Sequence, residues 1–236
     1  MGRLRAMGRT ALDFIWPEGV FCLSCQMLSR GEALCPACQK ELHRLCLDTE
    51  EDDESVFFRA AWRHDGPART LVLRLKHRNE AAAARVLAQG MAQAARRMAL
   101  PPGTVLTWVP MPTRRQRMRG IDHGFCLASA LGKELGLPVR PLLRRTRSTA
   151  IQARLDRQQR RTNLLHAFGA LEAIDFPVLL VDDVYTTGAT ANACTEALLA
   201  AGAPWVKVIT ATQAMGRGEG EPVKRQWKIE DHIDTF

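Results

Sequence analysis

Aromatic residues are scarce in this chain, at 6% of 236, and there is a single tyrosine, Tyr185. So small a supply argues against any activity built on a row of stacked bases. No apolar run is long enough to span a bilayer, so no membrane partner is expected. The basic start, Met1 to Thr10, leads into Ala11-Leu12-Asp13-Phe14-Ile15-Trp16-Pro17. That segment is too short and interrupted for the core of a secretory leader, and the chain is expected in the cytoplasm. Two nucleotide-binding patterns are also missing. There is no G-x-x-x-x-G-K-[ST], and Gly216-Arg217-Gly218-Glu219-Gly220 is not G-x-G-x-x-G and opens no convincing helix.

What is present is ordinary in bulk and specific in detail. Hydrophobic residues make up 46% and charged residues 25%, as in globular domains, and the length suits one or two of them. The net charge of +8 favours anionic partners, either phosphates or nucleic acid. Seven cysteines, an odd number, argue against a disulfide framework and towards metal binding or free thiols.

The most informative stretch is Val178-Leu179-Leu180-Val181-Asp182-Asp183-Val184-Tyr185-Thr186-Thr187-Gly188-Ala189-Thr190. Four consecutive aliphatic residues read as a strand buried on both faces, as in a parallel sheet covered by helices. An acidic pair follows, then a hydroxyl-rich turn with one glycine, then a helix over Ala191 to Ala201. Gly188 permits a tight turn and close approach of the backbone to a ligand. The free N–H groups and dipole of the helix start favour an anion, and Thr186, Thr187 and Thr190 add donors. Two carboxylates would repel a phosphate, so they must face sugar hydroxyls or a hydrated metal. A ribose carrying a 5-phosphate fits both halves, its diol on Asp182 and Asp183 and its phosphate on residues 186–190. The plainer alternative is a strand end with a solvated acidic turn.

Cys22-Leu23-Ser24-Cys25 and Cys35-Pro36-Ala37-Cys38 are two C-x-x-C pairs separated by nine residues. Two such knuckles give tetrahedral thiolate coordination, which suits a structural zinc and leaves no open position for catalysis. Unligated thiols in a loop are the alternative, and Cys46 could replace one ligand. Cys126 and Cys194 fall in helical patterns and read as small core residues. The acidic run Asp48 to Glu54 reads as a solvated linker.

Further along, Val56 to Trp62 reads as a strand, Gly66 to His77 as an amphipathic helix and Glu80 to Leu100 as an Ala-rich helix. Lys76 in the last turn has a ready explanation in the helix dipole. Val105 to Val109 reads as a strand that runs into the basic loop Pro110-Met111-Pro112-Thr113-Arg114-Arg115, extended by Arg117 and Arg119. That loop is a second place to hold a pyrophosphate, because ligands of doubly wound sheets bind at the carboxyl ends of strands. A helix from Ile121-Asp122-His123-Gly124 to about Leu135 is capped by Gly136, and Val139 to Leu143 reads as a short strand. Arginine crowds residues 140–161. Phe168 to Phe176 reads as a connection, Val206 to Thr212 as a strand, and the tail from Gly216 to Phe236 as poorly ordered.

Strands alternating with helices imply an α/β fold, a parallel sheet flanked by helices. The strand, acid-pair and T-G-x-T run resembles the phosphoribosyl-pyrophosphate (PRPP) motif of type I phosphoribosyltransferases. Several further stretches widen the match to roughly residues 12–213. They are the C-x-x-C pairs, Gly66-Pro67 with Leu75-Lys76, Val109-Pro110-Met111-Pro112, Arg119-Gly120-Ile121-Asp122-His123, and Gln152-x-x-Leu155 with Arg161-x-Asn163-Leu164. Together they resemble the ComF family, an N-terminal zinc ribbon followed by a type I phosphoribosyltransferase domain. The resemblance implies a cysteine module over 12–47, a linker over 48–55, the phosphoribosyltransferase-like domain over 56–215 and a tail over 216–236. It implies PRPP held by Asp182 and Asp183 and by Thr186, Thr187, Gly188, Ala189 and Thr190. Arg114, Arg115 and Lys76 would lie near the pyrophosphate, with magnesium accompanying it. It also implies a link to natural competence, and with it single-stranded DNA as a partner. The chain departs from the family in carrying Ile121-Asp122-His123 where aromatic-Asn-Gln is commoner. Thr186 stands where oxopurine enzymes carry an aspartate, which argues against an oxopurine acceptor. Two readings result: a pentosyl transferase, or a non-catalytic module that binds single-stranded nucleic acid and reuses the site to sense PRPP.

Overall fold

The computed structural model describes residues 20–47, 57–78, 80–112, 122–146 and 167–214. The acidic run 48–55, Arg114, Arg115, Arg117, Arg119, the stretch with Gln152, Leu155, Arg161 and Asn163, and the tail from 216 lie outside the described residues. In chain order the elements are α1 (Pro36–Arg44), β1 (Phe58–Arg63), α2 (Gly66–Arg78), α3 (Ala81–Arg96), β2 (Val105–Trp108), α4 (His123–Leu135), β3 (Leu143–Arg145), β4 (Phe168–Ala170), β5 (Val178–Tyr185), α5 (Ala189–Ala200) and β6 (Val206–Gln213).

A parallel sheet runs β1–β6–β5–β2, with β5 inside it. Its aliphatic run is fully enclosed: Val178, Leu179, Leu180 and Val181 are all at 0% exposure. Burying such a side chain contributes about 1.5–3 kcal/mol. Neighbouring side chains on a strand point to opposite faces. Leu179 and Val181 accordingly join one apolar cluster with Leu71, Leu87 and Leu127 of α2, α3 and α4. Val178 and Leu180 join another with Cys194 and Leu198 of α5. The helices thus flank both faces, as the unbroken apolar run implies.

Local chemistry sets the ends of α4. Asp122 is its N-cap, and its Oδ1 accepts from the backbone N–H of Gly124 at 2.9 Å and of Phe125 at 3.4 Å. Gly136 closes it in the left-handed region at φ 69°, as expected of a glycine cap.

One expected element differs. Val139 to Leu143 is not a strand; Val139 makes a single bridge to Leu106, and the strand is Leu143–Arg145, antiparallel to Phe168–Ala170. The Leu142 N–H, next in line for the ladder after Arg140, donates instead to Thr107 Oγ1 at 3.2 Å, so the chain leaves the main sheet and pairs again beyond it. The stretch read as a connection therefore begins with β4.

The cysteine module joins the sheet through its own backbone. Cys46 bridges Trp62, the Leu47 N–H donates to the Ala61 carbonyl at 3.0 Å, and the Arg63 N–H donates to the Leu45 carbonyl at 2.8 Å. Leu34, Leu42 and Leu45 share an apolar cluster with Trp62 and Leu71.

Candidate functional site

At the carboxyl end of β5 the alternation of side chains continues into the acidic pair. Asp183 faces α2 and α4. Its Oδ1 lies 2.7 Å from Lys76 Nζ and its Oδ2 lies 2.8 Å from His123 Nε2. Burial alone would raise its pKa, but the His123 hydrogen bond and the Lys76 ammonium outweigh that and hold it below the usual carboxylate range. Asp182 lies on the other side, close enough to Cys194 of α5 for its charge to help raise that thiol, after burial. Its Oδ1 accepts the Asp183 N–H at 2.8 Å. Burial, with the neighbouring Asp183 charge second, pushes Asp182 up to about 8. Asp182 as a residue is half-buried.

The turn that follows has the expected form. Gly188 caps α5 with φ 74°, where other residues are strained. A Cβ at Gly188 would run into the Tyr185 hydroxyl, whose ring stacks on Phe58 with centroids 3.9 Å apart. Tyr185 thus packs against Phe58 of β1. Thr186 and Thr187 are exposed, Gly188 is buried, and Ala189 and Thr190 are half-buried in the first turn of α5. Thr187 Oγ1 accepts from the Ala189 N–H at 3.4 Å. An exposed turn feeding a helix start is suited to an anion.

Sequence reasoning placed Lys76 near a pyrophosphate; the structure brings it onto Asp183. Arg114 and Arg115 lie outside the described residues. His123, Asp122, Trp108, Thr212 and His64 were not singled out as site residues. Trp108 Nε1–H donates to Asp122 Oδ2 at 3.0 Å, which fixes the residue before His123. Thr212 Oγ1–H donates to the Asp183 carbonyl at 3.2 Å. The single hydroxyl proton is then used, so His64 Nδ1, 2.8 Å from the same oxygen, must be the donor there. Burial, Lys76 and Arg69 lower the His64 pKa, which favours the neutral ring. The sequence signal for this shell was the Ile121-Asp122-His123 stretch, which stands at the start of a helical pattern and departs from the family's commoner residues.

The cysteine cluster is separate from this site. The sulfurs of Cys22, Cys25, Cys35 and Cys38 lie within 4.8 Å of one another, and those of Cys25 and Cys35 are 3.6 Å apart. Tetrahedral thiolates at zinc-sulfur distance are about 3.8 Å apart, so the donor set fits a four-coordinate metal. Burial works against ionising Cys22, yet backbone N–H groups of Cys35, Cys25 and Ser24 bring it down to about 6. Burial first, then the crowding sulfurs, push Cys38 up to about 12. A dication at the centre would remove that conflict. Cys46 is exposed and outside the group; Cys194 is buried and Cys126 half-buried.

Fold and site together define a helix-flanked parallel α/β protein. It carries an acidic pair and a helix-start turn at the end of its inner strand, and a four-thiol cluster near its amino end. No family model matches the chain. It is 30% identical over 203 residues to competence protein F of Haemophilus influenzae, covering 79% of this chain and 87% of that one. On that extent of similarity, the chain belongs to the competence protein F (ComF) family. It is also 36% identical over 152 residues to DNA utilization protein YhgH of Salmonella typhi, covering 60% of this chain and 65% of that one. Among solved structures, it is similar to glutamine PRPP amidotransferase from B. subtilis, at TM-score 0.40 and 19% identity, over 59% of this chain and 30% of that one. It is also similar to adenine phosphoribosyltransferase from Leishmania tarentolae, at TM-score 0.36 and 15% identity, over 58% and 73%.

Proposed function

We propose that the end of β5 binds a ribose 5-phosphate, with PRPP as the full ligand. One observation carries this reading: the left-handed Gly188 turn feeds α5 directly beside the acidic pair. The turn, from Thr186 to Thr190, takes the 5-phosphate, and the sugar hydroxyls lie on the side of the acidic pair. Magnesium arrives with the pyrophosphate, the usual way that ion meets substrate phosphates, and Arg114 and Arg115 are the cations assigned to it. Zinc is the metal assigned to Cys22, Cys25, Cys35 and Cys38, in a structural role. As a transferase, the protein would position PRPP while its C1–O bond breaks. Pyrophosphate leaves with the electron pair, a nitrogen lone pair closes the C1–N bond, and the acceptor's proton passes to solvent. Calorimetric titration of PRPP with magnesium tests the site. Binding by the wild type that is lost in Asp182→Ala/Asp183→Ala supports it, and equal binding by both removes it.

The relatives' printed names, competence and DNA utilization, together with the net charge of +8, favour a second reading in which single-stranded DNA binds. Backbone contacts would give an affinity that falls steeply with salt, at about 0.7 in log–log slope per phosphate neutralised. An affinity indifferent to salt would remove it.

A further inference from the structure

We infer that the two acids of the pair have different tasks: Asp182 is the side chain that meets the sugar, and His123 is a positioning residue that, with Lys76, holds Asp183 as a buried post. This rests on the ribose-phosphate reading of the site. Asp183 is poorly placed to receive hydroxyls. Its side chain is 10% exposed, Lys76 stands on one oxygen at 2.7 Å and His123 on the other at 2.8 Å. Its main chain is fixed as well, by Thr212 on its carbonyl and by Asp182 on its N–H. Asp182 differs in each respect. As a residue it is half-buried, and only its Oδ1 has a hydrogen-bond partner among the described residues, which leaves Oδ2 for a ligand.

The tautomer of His123 follows from its surroundings. Nε2 faces a carboxylate oxygen and must donate. Nδ1 is buried without a partner among the described residues, so a proton there would have no acceptor, and the Nε2–H tautomer fits. The ring is held from behind. Asp122 caps α4 through one oxygen and takes the Trp108 indole N–H on the other, so the backbone entering His123 cannot turn freely. The chain from Trp108 through Asp122 and His123 to Asp183 therefore sets the end of β5, and with it the direction of Asp182 next door.

The test separates sugar binding from phosphate binding in the full-length, metal-loaded protein. Affinities for ribose 5-phosphate and for inorganic phosphate are measured by calorimetry on wild type, His123→Ala, His123→Gln and Asp182→Asn. His123→Ala is expected to weaken ribose 5-phosphate about tenfold, the scale of one lost charge-assisted hydrogen bond, and to leave phosphate unchanged. His123→Gln keeps an N–H for Asp183 and should return within about threefold. Asp182→Asn should bind ribose 5-phosphate no better than phosphate. Equal weakening of both ligands by His123→Ala, or wild-type affinity in that variant, overturns the inference. If wild type binds neither ligand, the ribose-phosphate reading itself has failed. The inference is then decided by nitrogen NMR of the His123 ring. An Nε2–H tautomer that Asp183→Asn disturbs and Asp182→Asn does not would retain the split between the acids, and any other result removes it.

Discussion

The cysteine module and the end of β5 hold their functional groups in place by opposite means. In the module, four donors close on one point, and little apolar area is needed once a metal ties them together. At the strand end, nothing closes. Asp182, Asp183 and the Gly188 turn are held from below by the buried aliphatic start of β5, and Asp183 is held from the sides by residues of α2 and α4. A closed coordination sphere stabilises and does little else. An open strand end backed by a rigid core leaves groups free to meet a ligand. The two regions meet at Trp62, which shares one apolar cluster with Leu34 and Leu42 of the module and with Leu71 and Leu87 of α2 and α3.

Metal removal should have the largest effect. One tetrahedral ion per chain is expected in a metal assay, and chelation should unfold the module, because structural zinc in small modules is worth about 10–16 kcal/mol. Trp62 would report it as a red shift in fluorescence while the sheet keeps its circular dichroism. A chain whose spectrum is indifferent to chelator would break the contrast between the regions. At the strand end the counterpart is Lys76→Met, which strips Asp183 of its cation and should cost about 3 kcal/mol in urea unfolding without releasing metal. Leu180→Ala leaves a cavity on the α5 side, in the cluster that contains no module residue, and should cost about 2–5 kcal/mol, again with metal retained.

The acids should pull the pH dependence of stability in opposite directions. Asp183 is held low, so its contribution is present above the ordinary carboxylate pKa and is lost as pH falls through its depressed value. Asp182 sits at about 8 instead of 3.8, so between those values the folded protein keeps a proton that the unfolded chain gives up. Stability then falls as pH rises through that window. Asp182→Asn should flatten the fall, gaining most near pH 8 and little near pH 4, as measured by thermal midpoints across pH. An unchanged slope would mean that the acid is ionised as it stands.

How much of this was legible depends on how far apart in sequence the partners lie. The C-x-x-C pairs are local, so their spacing alone puts four thiols together. The apolar run, the acid pair and the Gly188 turn are contiguous, and α4 carries its own stop signal in Gly136. Lys76 and His123 come to Asp183 from 107 and 60 residues away, and no periodicity records such a contact. The dipole explanation for Lys76 was sufficient by itself and so concealed the ion pair. The misplaced strand at Val139 to Leu143 has a different cause: Thr107 Oγ1 takes the Leu142 N–H that would have extended the pairing with β2, and regular pairing resumes only at Leu143–Arg145.

The smallest expected effect marks where the comparison ends. Arg140 and Glu172 form an ion pair at 2.6 Å, shorter than Lys76 with Asp183, yet their side chains are 45% and 43% exposed. Water competes for both groups, and each long side chain must give up rotamer freedom to stay in register. Glu172→Ala should therefore shift stability by about 0.2–1 kcal/mol, and less still at high salt. Lys76→Met should keep most of its cost in salt, because its partner is enclosed. Were the exposed pair to prove as costly as the buried one, distance rather than burial would govern these contacts, and the account of Asp183 as a post held by its surroundings would lose its physical basis.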